Sequence, residues 1–279
     1  MERFRFGACE WCFPCWGPLS LKMAHEAGFS GMQLGDGGGS LHAYPLLDKS
    51  VQAAYLEAAE RYDMALQSIH LYTLGHQGYL RSAFDSREGE ACRESILSGV
   101  LAAFAMGIPT VIIDGMRMNT AAKYAHMMSM AQYAVTVGTD HGVNIAMETD
   151  MTLEDHFRFL DALDGKITLC FDTHNPVMYG TGKPAELIRA LGRDRIDHFH
   201  MKESRPNADG YITVETPIVL LGQGMTEFGE SVQAIKDIDY SGWLISENFY
   251  YRPNLTKGMY DPVSLARQDV ETLRAAFGE

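Results

Sequence analysis

Along this chain short apolar runs rich in β-formers alternate with longer runs whose apolar positions recur every three or four residues. Eight runs read as strands: Phe4–Ala8, Gly31–Leu34, Ala65–Leu71, Thr110–Asp114, Asn144–Thr149, Thr168–Thr173, His198–Lys202 and Trp243–Asn248. Between Asp85 and Met106 the apolar set Cys92, Ile96, Val100, Ala103 and Phe104 has helical spacing. The stretches Ala121–Val137, Leu153–Leu163, Ala185–Leu191, Thr226–Ile235 and Pro262–Phe277 read the same way. Glycines Gly28, Gly107 and Gly242, each just ahead of or within a strand run, read as left-handed helix caps. Strand alternating with helix implies a parallel sheet, and eight such units close most economically as a single (β/α)8 TIM barrel. With no linker and no internal repeat, residues 1–279 read as one domain.

The polar residues inside this pattern carry the chemistry. A barrel strand is buried on both sides, so a charge at its C-terminal end calls for a reason. Strand five ends Ala-Met-Glu148-Thr, strand six Cys-Phe-Asp172-Thr-His174-Asn175, and strand eight Ile-Ser-Glu247-Asn248. Strand seven contributes His198-Phe-His200-Met-Lys202, three polar residues of one orientation because side chains alternate. One carboxylate of this kind would pair with a neighbouring cation. Three converging on one rim repel each other, and a divalent ion neutralises them. Carboxylates with an imidazole make a mostly hard donor set, for which Mn2+ is the first choice and Mg2+, Co2+ and Zn2+ are candidates.

Composition narrows the partners. The 279 residues carry 23 Lys+Arg against 36 Asp+Glu, a net charge of −13, and no basic run longer than a pair, which argues against nucleic acid. No apolar stretch approaches the length of a membrane span or a signal-peptide core, so the reading is cytoplasmic with no membrane partner. Five cysteines do not form a disulfide framework. Cys9-x2-Cys12-x2-Cys15 has spacing that can begin an iron–sulfur run, but no fourth cysteine follows and loose loop thiols are the reading. Gly35-Asp-Gly-Gly-Gly-Ser40 fits no phosphate-binding fingerprint and reads as a loop at the barrel mouth. A homo-oligomer is compatible with the sequence.

The motifs Met-Glu148-Thr-Asp, Phe-Asp172-Thr-His-Asn, His198-Phe-His200-Met-Lys-Glu, Gly222-Gln-Gly-Met and Gly242-Trp-Leu-Ile-Ser-Glu247 together resemble the xylose isomerase-like barrel superfamily, in particular its D-tagatose and D-psicose 3-epimerases. The resemblance implies that Glu148, Asp172, His200 and Glu247 bind the metal, and that Glu148 and Glu247 also form the acid/base pair. The implied reaction is isomerisation or epimerisation of a small carbohydrate. A proton beside a carbonyl leaves once a cation stabilises the enediolate, and two glutamates on opposite faces of the substrate would invert the centre. Glu154 matches a substrate-contacting glutamate of those enzymes.

Two positions depart from that pattern. The family's substrate histidine falls at Asn175, with His174 one place earlier, and its substrate arginine at Pro206, with Arg205 one place earlier. Candidate substrate contacts are therefore His70, Glu154, His174, Asn175, Lys202 and Arg205, with Tyr72, His76, Glu10, Trp11 and Trp16 as further wall candidates. The departures admit a second outcome, a lyase of the same superfamily that dehydrates a polyol ketone or cleaves a keto-C-glycoside. A trimetal phosphodiesterase like endonuclease IV is disfavoured, because Asp114, Asn175 and His198 stand where that chemistry needs other ligands.

Overall fold

A computed structural model describes residues 3–37, 43–72, 74, 79–118, 120–206, 217–252, 255 and 261–278. Eight parallel strands close a barrel in sequence order: β1 Phe4–Cys9, β2 Gly31–Gly35, β3 Ala65–His70, β4 Thr110–Asp114, β5 Asn144–Glu148, β6 Thr168–Asp172, β7 Ile196–Met201 and β8 Gly242–Ser246. β8 returns to pair with β1 from Phe4↔Gly242 to Ala8↔Ser246, so the sheet has no free edge. The fold is a single (β/α)8 TIM barrel, as the alternation of runs predicts.

The outer layer is α1 Pro18–Ala27, α2 Lys49–Arg61, α3 Arg87–Met106, α4 Ala121–His141, α5 Leu153–Ala162, α6 Asn175–Tyr179, α7 Pro184–Leu191, α8 Phe228–Asp237 and α9 Pro262–Phe277. Side-chain caps start several of them: Ser86, Thr120, Thr152 and Asp261 each accept a bond from the backbone N–H three residues on. Gly28 and Gly107 end α1 and α3 in the left-handed conformation, as expected. Gly242 does not act as a cap. It is the first residue of β8, and α8 ends at Asp237. The periodic set of α3 is buried except Phe104, which is 62% exposed and lies edge-on to His141.

Most apolar side chains form one core between strands and helices, while Ile112, Ala146 and Cys170 form a separate cluster. Buried Gln33, Ser68 and His198 interrupt the apolar character of the strands. That polarity belongs to the site above it.

Candidate active site

Strand register brings the rim residues together. Asp172 pairs with His200 across β6 and β7, His200 with Ile245 across β7 and β8, and Glu247 is the first residue beyond β8. Glu148 closes β5. All four side chains are buried, and one ligand atom from each lies within 4.8 Å of the others.

Each of the four is anchored on one side by a fixed protein group. Glu148 Oε1 accepts from Asn175 Nδ2 at 2.8 Å, and Asp172 Oδ1 from the His174 backbone N–H at 2.6 Å. Glu247 Oε1 accepts from Trp11 Nε1 at 3.0 Å and its Oε2 from Lys202 Nζ at 2.8 Å. His200 Nε2 donates to Gln33 Oε1 at 3.0 Å, a partner His198 Nε2 shares at 3.1 Å. Gln33 engages Nε2, and the ring turns its Nδ1 the other way. That Nδ1 has no hydrogen-bond partner, lies 3.6 Å from Glu148 Oε2 and 3.4 Å from Glu247 Oε2, and shares its orphaned state with Asp172 Oδ2. Three buried carboxylates converging on one imidazole repel each other unless a cation lies among them. The donor set therefore fits a divalent ion. Among the described residues, Cys170, His198 and His200 form a second close trio, but the Nε2 atoms of both histidines are already bonded to Gln33.

The electrostatics separate the two glutamates. Burial, then the neighbouring Glu247 and Asp172 charges, pushes Glu148 well above the usual carboxylate range. Burial also raises Asp172, to about 7, with Lys202 opposing. Burial pushes Glu247 up as well, but Lys202 and His200 outweigh it and hold the group well below its ordinary value. His174, hydrogen-bonded through Nε2 to Ser204 Oγ at 2.6 Å, is pushed down to about 3 by burial and by Lys202.

Over the quartet opens a cavity of about 350 Å³. His70, His174, Asn175 and Lys202 line it together with Glu148 and Glu247, so four of the six expected substrate contacts share one space. Tyr72 lines it too. Glu154 and Arg205 do not. Glu154 is exposed in the first turn of α5, and Arg205 is exposed with its Nε bonded to Gln223 O at 2.7 Å. Both were expected from the family resemblance, which does not fix the direction of residues several positions beyond a strand end.

The other wall candidates have different tasks. Glu10 is fully buried and ties the loops after β1 and β2 together, accepting from Gly17 N, Gly35 N and Tyr55 Oη. Trp11 packs on His70 at 5.2 Å while holding Glu247. Trp16 covers Gly35 and meets Tyr72 edge-on at 6.1 Å. His76 and residues 38–40 of the glycine-rich loop lie outside the described residues. Cys9 and Cys12 are buried, and burial pushes both thiols up. Cys15 lies 3.6 Å from Met23 Sδ.

Sequence reasoning missed Gln33, although an amide inside an otherwise apolar strand run was visible. It also missed Arg81, Arg117 and Arg252, which line the cavity from loops whose direction only the closed barrel sets. Among the described residues no helix is long and apolar enough to cross a membrane.

Comparison with known proteins agrees with this architecture. A tRNA-2-methylthio-N(6)-dimethylallyladenosine synthase of Koribacter versatilis is 25% identical over 171 residues, covering 60% of this chain but only 38% of that protein. A 2-epi-5-epi-valiolone 7-phosphate 2-epimerase of Actinoplanes sp. is 26% identical over 229 residues, covering 79% of this chain and 78% of that enzyme. Among solved structures, a D-allulose 3-epimerase from Methylomonas sp. superposes with a TM-score of 0.74 at 20% identity, covering 99% of both chains. The IOLI protein with a bound zinc atom gives 0.74 at 16% identity, covering 98% of both. The family profile described as xylose isomerase-like TIM barrel matches residues 21–276. With residues 21–276 of the 279 matched, this protein belongs to the xylose isomerase-like TIM-barrel family.

Proposed function

We propose that this chain is a divalent-metal-dependent sugar isomerase or epimerase that moves a proton at a carbon beside a carbonyl. Glu148, Asp172, His200 and Glu247 hold the ion, and Glu148 and Glu247 form the acid/base pair. The observation that carries the reading is the orphaned His200 Nδ1 turned toward buried carboxylates, a geometry that calls for a cation. A bound divalent ion supplies the positive charge that makes a C–H beside a carbonyl acidic enough to ionise. Mn2+ suits three carboxylates and one imidazole. The zinc of the IOLI structure, a neighbour in fold, supports a divalent ion of some kind.

Different protein groups hold the two glutamates. Glu247 is kept ionised by Lys202 and oriented by Trp11, which suits a general base. Glu148, oriented by Asn175, lines the same cavity and is the second carboxylate of the pair. The substrate is a small carbohydrate of a size the cavity admits. The Actinoplanes and Methylomonas relatives, both epimerases, support this class.

The test is solvent exchange. Mn2+-loaded protein in D2O, incubated with a ketose panel and followed by NMR, should place deuterium on the carbon beside the carbonyl. Glu247→Gln should abolish labelling while substrate binding survives. Full exchange in that variant refutes the mechanism, and release of water or an aglycone in place of an epimer identifies a lyase.

A further inference from the structure

The cavity contains more positive charge than the proton-transfer reading uses. Arg81, Arg117 and Arg252 line it in addition to Lys202. In a chain of net charge −13, several surface arginines sit in carboxylate pairs, Arg61 with Glu57, Arg158 with Asp155, Arg189 with Asp237 and Arg193 with Asp239, while others such as Arg195 and Arg274 bond backbone carbonyls. Arg81 and Arg252 each contact a neutral group. Arg81 Nη1 donates to Met116 O at 2.8 Å, which ties it to the segment carrying Arg117. Arg252 lies over the Phe249 ring at 4.9 Å, and Lys202 Nζ is 5.3 Å from the same ring centroid. Asp150 feels the charges of both Arg117 and Arg81.

Two acidic groups face them. Asp114 lines the cavity and accepts from Met116 N, and Asp150 accepts from the Arg117 backbone N–H at 2.9 Å. These offset two of the three charges. A divalent ion with Lys202 would neutralise the Glu148, Asp172 and Glu247 carboxylates, so the cavity as a whole retains positive potential. Guanidinium groups with free N–H donors in a partly enclosed cavity bind planar or tetrahedral oxyanions with several charge-assisted bonds. A neutral polyol offers nothing to match them.

We propose that the substrate carries an anionic group, a phosphate or a carboxylate, which Arg81, Arg117 and Arg252 hold while its carbonyl end lies over the quartet. This rests on the proton-transfer reading for the identity of the carbonyl end, but the anion site is testable by binding alone. The probes are D-fructose, D-fructose 6-phosphate and the corresponding ketose with a carboxylate at C6, which differ only at the far terminus. Titration calorimetry against Mn2+-loaded protein should give at least about tenfold tighter binding for one or both charged probes than for D-fructose. Whichever charged probe wins distinguishes phosphate from carboxylate. In the Arg81→Gln/Arg117→Gln/Arg252→Gln variant the ratio should fall to about one, and Arg117→Gln alone, at an exposed position, should lower it part of the way. The absence of preference among the three probes, or a preference unchanged in the triple variant, overturns the proposal. Charged-probe preference without deuterium exchange from any probe leaves the anion site standing and counts against the proton-transfer reading.

Discussion

Loading the quartet with metal should expel protons, and the number is set by the burial of its carboxylates. In the metal-free protein Glu148 lies well above the usual range and Asp172 near 7, while Glu247 stays ionised beside Lys202. A carboxylate must be deprotonated to bind a cation. The shift of Asp172 from 3.8 to about 7 is some three units, on the order of 4 kcal/mol between its two forms. The sign follows directly. Groups whose pKa is raised in the free protein give up protons on binding, so affinity for Mn2+ rises with pH. At pH 6 Asp172 still holds most of its proton and releases it on binding, and at pH 8 it is already ionised; Glu148, pushed up by burial, adds to the release. For Asp172 alone the dissociation constant should fall about fivefold from pH 6 to pH 7, and further with the contribution of Glu148. Titration calorimetry with Mn2+ in two buffers of different ionisation enthalpy counts the protons at each pH. An affinity flat from pH 6 to 8, with no proton released at pH 6, would refute the claim that the ion occupies this buried cluster.

Two further substitutions probe the frame of the site. Trp11→Phe keeps the aromatic packing on His70 but removes the donor 3.0 Å from Glu247 Oε1; kcat should fall about tenfold with thermal stability nearly unchanged, and wild-type kcat would show that Trp11 does not orient the base. Gly138→Ala places a methyl group 2.6 Å from Val143 O and 2.7 Å from Ile145 Cγ1, where α4 meets β5, and should cost about 1–3 kcal/mol. A melting temperature as high as wild type would mean that the helix and strand separate there more easily than the contact implies.

Much of this protein was legible in one dimension. Alternating strand and helix periods determine a parallel α/β sheet because a strand buried on both faces and a helix buried on one have different hydrophobic periods, and eight such units favour the closure that β8 pairing with β1 completes. The ends of β5 to β8 were legible for the same reason: Glu148, Asp172, His200 and Glu247 stand out as charge where the period demands apolar residues. Element ends drifted by a few residues, as with α4, which runs to His141 instead of Val137 because its cap is Gly142.

Tertiary structure decided the rest. Period does not say where a residue beyond a strand end will point, so Glu154 and Arg205 appear equivalent to Asn175 in sequence yet face solvent, while the short helix α6 turns Asn175 onto Glu148. Gln33 and Trp11 reach the quartet from β2 and from the turn after β1, far from it in sequence but adjacent once β8 closes on β1. The three cavity arginines come from three loops that share only the rim. The charge that a single strand presents is written in its own residues. The field a substrate meets is a sum over strands, and only barrel closure performs that sum.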